Sequence, residues 1–220
     1  MGEGTDTAAV REPEPVEPEA PGDERAQELA TEALRRREAA LQHVRKFGDP
    51  VLKSRASEIR SFGPELSREA ERMVAIMRDA IGVGLAATQL GVMHRLLVFQ
   101  AGRDATPTAI ANPRIEWLSD DVVVAEEGCL SLPRVSVDVE RPLFARISGV
   151  DVAGAPLEIE ASGLEARVLQ HEIDHLDGVL MIDRAPRDQR KAALRALREG
   201  EPYSPAADES ASDEPAAATR

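Results

Sequence analysis

The segment with the clearest chemical content is His171-Glu172-Ile173-Asp174-His175. On a helix, positions i and i+4 lie one turn apart on the same face, so two imidazole nitrogens can be directed at one ion while Glu172 stands beside a water held there. That geometry is hydrolytic, because a cation acidifies the water and a carboxylate takes its proton. Two imidazoles leave the coordination incomplete, so a third ligand is required. Cys129, the one cysteine of the chain, stands upstream in Glu126-Glu127-Gly128-Cys129-Leu130-Ser131-Leu132-Pro133. A thiolate is a good soft ligand for iron or zinc, although a lone cysteine is ordinarily a small buried hydrophobe. A third segment, Gly82-Val83-Gly84-Leu85-Ala86-Ala87-Thr88-Gln89-Leu90-Gly91, is glycine-rich but lacks the Gly-Lys-Ser/Thr ending of a P-loop. What it offers is exposed backbone on small residues and one amide side chain, Gln89.

Other hydrolytic patterns fit less well. The His-Glu-x-x-His-x-x-Gly pattern continues to Gly178, but Met181 stands where a metzincin protease places its third histidine. A thermolysin-like site wants a downstream glutamate, and after Asp188 the chain offers Glu199, Glu201 and the acids of the last segment, all at the end of the fold.

These segments need elements to hold them. Residues 25–46, free of Pro and Gly, predict a helix that ends near Phe47-Gly48-Asp49-Pro50. Gly63-Pro64 opens a second helix, in which Leu66, Ala70, Met73, Val74, Met77 and Ile81 form one apolar stripe. Beyond Gly91 the texture becomes β-branched and partly alternating. Leu96–Phe99, Ala109-Ile110, Val122–Val124, Val135–Val139 and Phe144–Val150 read as five or more strands. Ser162-Gly163-Leu164-Glu165 has the form of a capping box leading into the metal-motif helix through about Leu176, and Arg187–Arg198 gives a last helix. The expected fold is α+β, with short, mostly antiparallel strands packed around a central helix that carries the His-Glu-x-x-His motif, and with flanking N-terminal and C-terminal helices.

Composition narrows the function further. The chain has 220 residues and a formal net charge of −13, with six aromatics. Of that charge, −6 falls in residues 1–25 and −4 in residues 201–220, which leaves residues 26–200 at −3. Both ends have the composition of disordered tails, acidic and, at the N-terminus, rich in proline, around a single catalytic domain over 26–200. One cysteine excludes an internal disulfide. No apolar run approaches the roughly 20 residues of a membrane span, and the acidic N-terminus is neither a signal nor a transit peptide. The expectation is a soluble cytoplasmic protein with no membrane partner. Direct DNA binding is disfavoured by the net charge of −13 and the few aromatics.

Taken in order, Gly82–Gln89, Glu127-Gly128-Cys129-Leu130-Ser131 and Gln170-His171-Glu172-Ile173-Asp174-His175 resemble the three signature motifs of the peptide deformylase family. Phe47-Gly48-Asp49-Pro50-Val51-Leu52 is similar to that family's usual start, so the resemblance runs from about Val44 to Arg198. It implies that Cys129, His171 and His175 bind one divalent metal per chain, natively Fe2+ in many members, with Zn2+, Ni2+ or Co2+ as possible substitutes. It implies that Glu172 passes the proton of a metal-activated water to the leaving amine, and that Gln89 and the N–H of Leu130 stabilise the oxyanion. The implied substrate is the N-formylmethionine end of a nascent polypeptide, met in transient association with the ribosome. By the same resemblance the peptide is an added strand bonded to Gly84, and Val83, Val168, the stem of Arg167 and Leu130 are candidates for the methionine pocket. Arg141 and Asp174 are expected to pair behind the metal helix. Ser136 stands where many members carry Arg or another larger residue, so one wall of the cleft is expected to differ.

Overall fold

The computed structural model describes residues 21–205 except residue 103. The acidic extension expected over 1–25 lies outside these residues up to residue 20, and the C-terminal tail lies outside them from residue 206.

Helix α1 spans Pro21–His43. It starts four residues earlier than expected, with proline at the first helical position, where its missing N–H costs nothing. It also stops three residues short, because the next backbone groups are claimed elsewhere: Arg45 N–H donates to Gln89 O at 2.7 Å and Phe47 N–H to Ser131 O at 2.9 Å. A 3-10 turn over Pro50–Lys53 follows, capped by Asp49, whose Oδ1 accepts from Val51 N–H at 3.0 Å. The Phe47–Leu52 stretch thus fastens the start of the domain to the backbone beside Cys129.

Helix α2 spans Pro64–Asp79 and buries Leu66, Ala70, Met73, Ile76 and Met77. Ile81 does not belong to that stripe as expected. The helix has ended before it, and φ of 61° turns its side chain out to 73% exposure.

The strands are β1 (Gly84–Ala86), β2 (Leu96–Phe99), β3 (Thr108–Leu118), β4 (Val122–Cys129), β5 (Leu132–Pro142), β6 (Phe144–Val150) and β7 (Pro156–Ser162). Five form an antiparallel sheet in the order β1-β2-β3-β6-β7, and β4 and β5 form a separate hairpin. The expected Ala109-Ile110 strand is therefore far longer: Asn112, at φ 52°, and Pro113 fall in a register shift between Ala111 and Arg114, and the strand continues beyond it. β1 and β7 are additional to the strands read from the sequence.

Helix α3 spans Gly163–Leu176, followed by the single turn α4 (Met181–Arg184) and by α5 (Arg187–Glu199). The expected capping box does not form, since the Ser162 side chain makes no capping bond. Ser162 is still paired with Phe144 as the last residue of β7, and the switch from strand to helix is held by Gly163 N–H donating to Leu143 O at 2.8 Å. Ala166, Leu169, Ile173 and Leu176 of α3 pack with Leu97, Phe99, Ile110 and Ile147 of the sheet. A second cluster joins α2 to β1 and β2, and a third joins Leu132, Val135, Val137 and Val139 of β5 to α4 and α5. The architecture is α+β with antiparallel sheets. Among the described residues no helix is long and apolar enough to cross a membrane.

Candidate metal centre and cleft

Cys129 closes β4, where the hairpin register shifts, and His171 and His175 lie one turn apart on α3. The hairpin and the helix bring the three donors together: Cys129 Sγ is 3.2 Å from His175 Nε2, and the ligand atoms of all three residues lie within 4.8 Å of one another. The thiol accepts from Ser131 N–H at 3.4 Å and from Gln89 Nε2 at 3.6 Å. Burial opposes its ionisation, but His175 and His171 beside it hold the Cys129 pKa well below the ordinary value. Burial likewise disfavours the imidazolium of His171, yet its bonds to Cys129 and Glu127 push its pKa well up. Thiolate and carboxylates together therefore favour positive charge among them, which is what a divalent cation supplies. Two imidazoles and one thiolate form a donor set suited to such an ion, with a position left open for water.

Glu172 is buried beside this cluster and its pKa is raised, mainly by burial, despite the two histidines. Among the described residues, Glu172 Oε2 and His175 Nδ1 are the buried side-chain polar atoms without a hydrogen-bond partner. Gly84 makes room for the carboxylate, since a Cβ there would lie 2.8 Å from both Cγ and Cδ of Glu172. Gln89 sits in a 3-10 turn over Ala87–Leu90. Its Oε1 accepts from Ala86 N–H at 2.8 Å, which aims Nε2 at Cys129 and Ser131. Leu130 follows Cys129, and Lys46 Nζ donates to its carbonyl at 3.0 Å.

A cleft of about 820 Å³ opens over the centre, lined by Val83, Gly84, Gln89, Leu130, Arg167, Val168, Cys129, His171 and Glu172. Of the expected site residues only His175 lies beneath its lining. Arg167 turns its guanidinium away from the open space, to Glu127 Oε1 at 2.7 Å and to the carbonyls of Val139 and Val123 at 2.9 and 2.6 Å, so its stem faces the cleft.

The Arg141 and Asp174 side chains meet as expected, Nη1 to Oδ2 at 2.8 Å, and Arg184 also grips Asp174 through two bonds of 2.5 Å. The residue whose role the sequence reading missed is Glu127. Its side chain, 5% exposed, accepts from Arg141 at 2.6 and 2.9 Å, from Arg167, and from His171 Nδ1 at 2.9 Å. Burial opposes its charge, but Arg141 and His171 hold its pKa far below the usual carboxylate range. An acid two residues before the proposed ligand was the available signal.

Comparison with known proteins places these features in context. Residues 41–191 match the family model described as polypeptide deformylase. The chain is 45% identical over 161 residues to peptide deformylase 1 of Corynebacterium glutamicum, covering 72% of this chain and 95% of that relative. It is 45% identical over 144 residues to the peptide deformylase of Thermotoga neapolitana, covering 66% and 87%. Among solved structures, the peptide deformylase from Synechococcus elongatus in complex with actinonin aligns with a TM-score of 0.67 at 38% identity, covering 72% of this chain and 87% of the other. The Thermus thermophilus peptide deformylase aligns with the same TM-score at 41% identity, covering 71% and 92%.

Proposed function

Because this chain belongs to the polypeptide deformylase family, we propose that Cys129, His171 and His175 hold its one metal ion, natively Fe2+, and that Glu172 is its proton carrier. The reaction is removal of the N-formyl group from newly made polypeptides, giving formate and a free α-amino group. The observation that carries the assignment of residues is the convergence of three ligand atoms within 4.8 Å beside a buried glutamate with one unpartnered oxygen.

When bound, the ion would supply Lewis acidity, which lowers the pKa of a water toward about 7. Glu172 takes the water's proton and returns it to the departing amine. A carboxyl whose pKa is raised by burial suits both halves of that cycle. Gln89 Nε2, already oriented by Ala86, and the N–H of Leu130 donate to the carbonyl oxygen as charge develops on it. The peptide adds as a strand beside Gly84, because β1 is the edge strand of its sheet. The methionine side chain fills the space between Val83, Leu130, Val168 and the stem of Arg167. α3 is then the central helix, carrying both histidines and the glutamate. The catalytic domain, expected over residues 26–200, is extended by the start of α1 at Pro21 and by the docked residues 201–204, and it works in the cytoplasm on formylmethionyl chains in transient contact with the ribosome.

Zn2+, Ni2+ and Co2+ suit the same donors, so the metal is read by elemental analysis of anaerobically purified protein paired with activity. Iron is expected to predominate, with activity lost in air and preserved by nickel; equal activity with zinc and iron overturns the preference. The activity itself is tested with a formyl-Met-Ala peptide. Formate release without internal peptide cleavage is expected, and its absence at full metal loading refutes the reading.

A further inference from the structure

The cleft has one wall that comes from outside the matched region. α5 ends at Glu199, Gly200 at φ 73° reverses the chain, and Glu201 N–H closes the turn on Ala196 O at 2.9 Å. The chain then runs back along β5, beyond the boundary expected at residue 200. Tyr203 forms a parallel bridge with Val135: its N–H donates to Arg134 O and its carbonyl accepts from Ser136 N–H, both at 2.9 Å. Ser204 Oγ donates to Glu126 Oε1 at 3.1 Å, the same oxygen that the Ser136 hydroxyl contacts. Tyr203 also packs against the apolar cluster of β5 and α5. Pro202, Tyr203 and Ser204 line the same cleft as Cys129 and Glu172.

Position 136 explains why this segment fits. Serine there is small, and its hydroxyl lies 3.4 Å from Tyr203 O, so the backbone of residues 203 and 204 occupies ground that a long side chain would fill. Where an arginine would present a cation, this chain presents a tyrosine held by the backbone of β5, with the next residue, Ser204, bonded to Glu126 of β4.

We propose that Pro202–Ser204 form a specificity wall for the peptide residues that follow formylmethionine, with Tyr203 as the contact that favours an apolar side chain there. The inference rests on the deformylase reading of the cleft. A peptide anchored by its formyl group at the centre and by methionine between Val83 and Val168 must run its later residues through the rest of the cleft. There Tyr203 and the outturned Ile81 supply apolar surface.

The test compares formyl-Met-Ala with formyl-Met-Ala-Leu-Leu on the full chain, on Tyr203→Ala and on a chain stopped after Gly200. The ratio of kcat/KM for the longer peptide over the shorter is expected to fall by about fivefold in both variants, the size of a lost aromatic contact, with the loss carried by KM. A ratio within about twofold of the full chain's, whether or not both rates fall, overturns the wall. Should the shortened chain fail to fold by thermal melting, Tyr203→Ala alone decides. No formate from either peptide with the unaltered enzyme removes the reading beneath the proposal; formate with an unchanged ratio in Tyr203→Ala removes the wall alone.

Discussion

Nδ1 of His171 lies 2.9 Å from Oε2 of Glu127. The bond links an acid on the β4–β5 hairpin to a proposed ligand on α3, and it leaves Nε2 of that ring free for the centre. The same carboxylate binds Arg141, which reaches on to Asp174 one residue before His175. Hairpin and helix are therefore locked by a buried charge network behind the proposed metal-binding atoms.

Glu127→Gln keeps the shape and removes the charge. Metal affinity is expected to fall about 10- to 100-fold, as read by competition with a chelator. Stability should fall by about 3 kcal/mol in urea unfolding, because two arginines lose their buried partner. Unchanged metal affinity would show that His171 is oriented without Glu127.

Glu172→Gln tests the proton carrier. A loss of about 10² to 10⁴ in kcat is expected, with metal content unchanged by elemental analysis because Glu172 is not among the three clustered candidate ligands. A variant with normal turnover would sink the assigned role.

Gly84→Ala introduces a methyl against the Glu172 carboxylate, at 2.8 Å from its Cγ and Cδ. β1 tolerates alanine in its backbone, so a folded protein with kcat lowered at least about tenfold is expected, through displacement of a group that must be placed within an ångström or so. Circular dichroism and turnover measured together check it, and wild-type kcat would contradict the packing.

How much of this was legible in the sequence depends on whether the signal was local. The helix of the metal motif was readable because two histidines and a glutamate follow Leu164, Val168 and Leu169 in one contiguous stretch; Val168 and Leu169 are buried as expected, while Leu164 is exposed. β1 was not, since three residues, the first of them glycine, carry no alternation and become a strand only by pairing with β2. β7 has alternation, Leu157, Ile159 and Ala161 against Glu158 and Glu160, but the segment was not among the expected strands. Glu127 was visible as a letter in a motif, while its role exists only once residues 141, 167 and 171 are brought around it. Tyr203 was hidden by averaging: residues 201–220 are acidic and alanine-rich as a block, and the docked portion is only their first few residues.

Acid stability offers a fourth check. Burial of Asp183 opposes its charge, but the bond from Lys53, the Leu180 N–H and the nearby Arg190 bring its pKa below 3.8. A carboxyl with a depressed folded pKa stabilises the fold above its unfolded value, and that contribution is lost as pH falls through the folded one. Asp183→Asn should therefore melt lower than the unaltered protein at about pH 6 and converge with it toward about pH 2. A melting difference independent of pH would assign the effect to packing instead.

The sheet ends at β1 on one side and β7 on the other. β7 is seven residues long and sets Glu158 and Glu160 along its rim, charges that repel a like strand. β1 has no such guard, but it is only three residues long and one of them is glycine. An opening that short can seat the tip of a chain still being made, yet it offers a neighbouring copy too few rungs for lasting self-association. For a peptide that adds beside Gly84 as proposed, brevity at this rim would allow backbone recognition without presenting a long edge to a second copy.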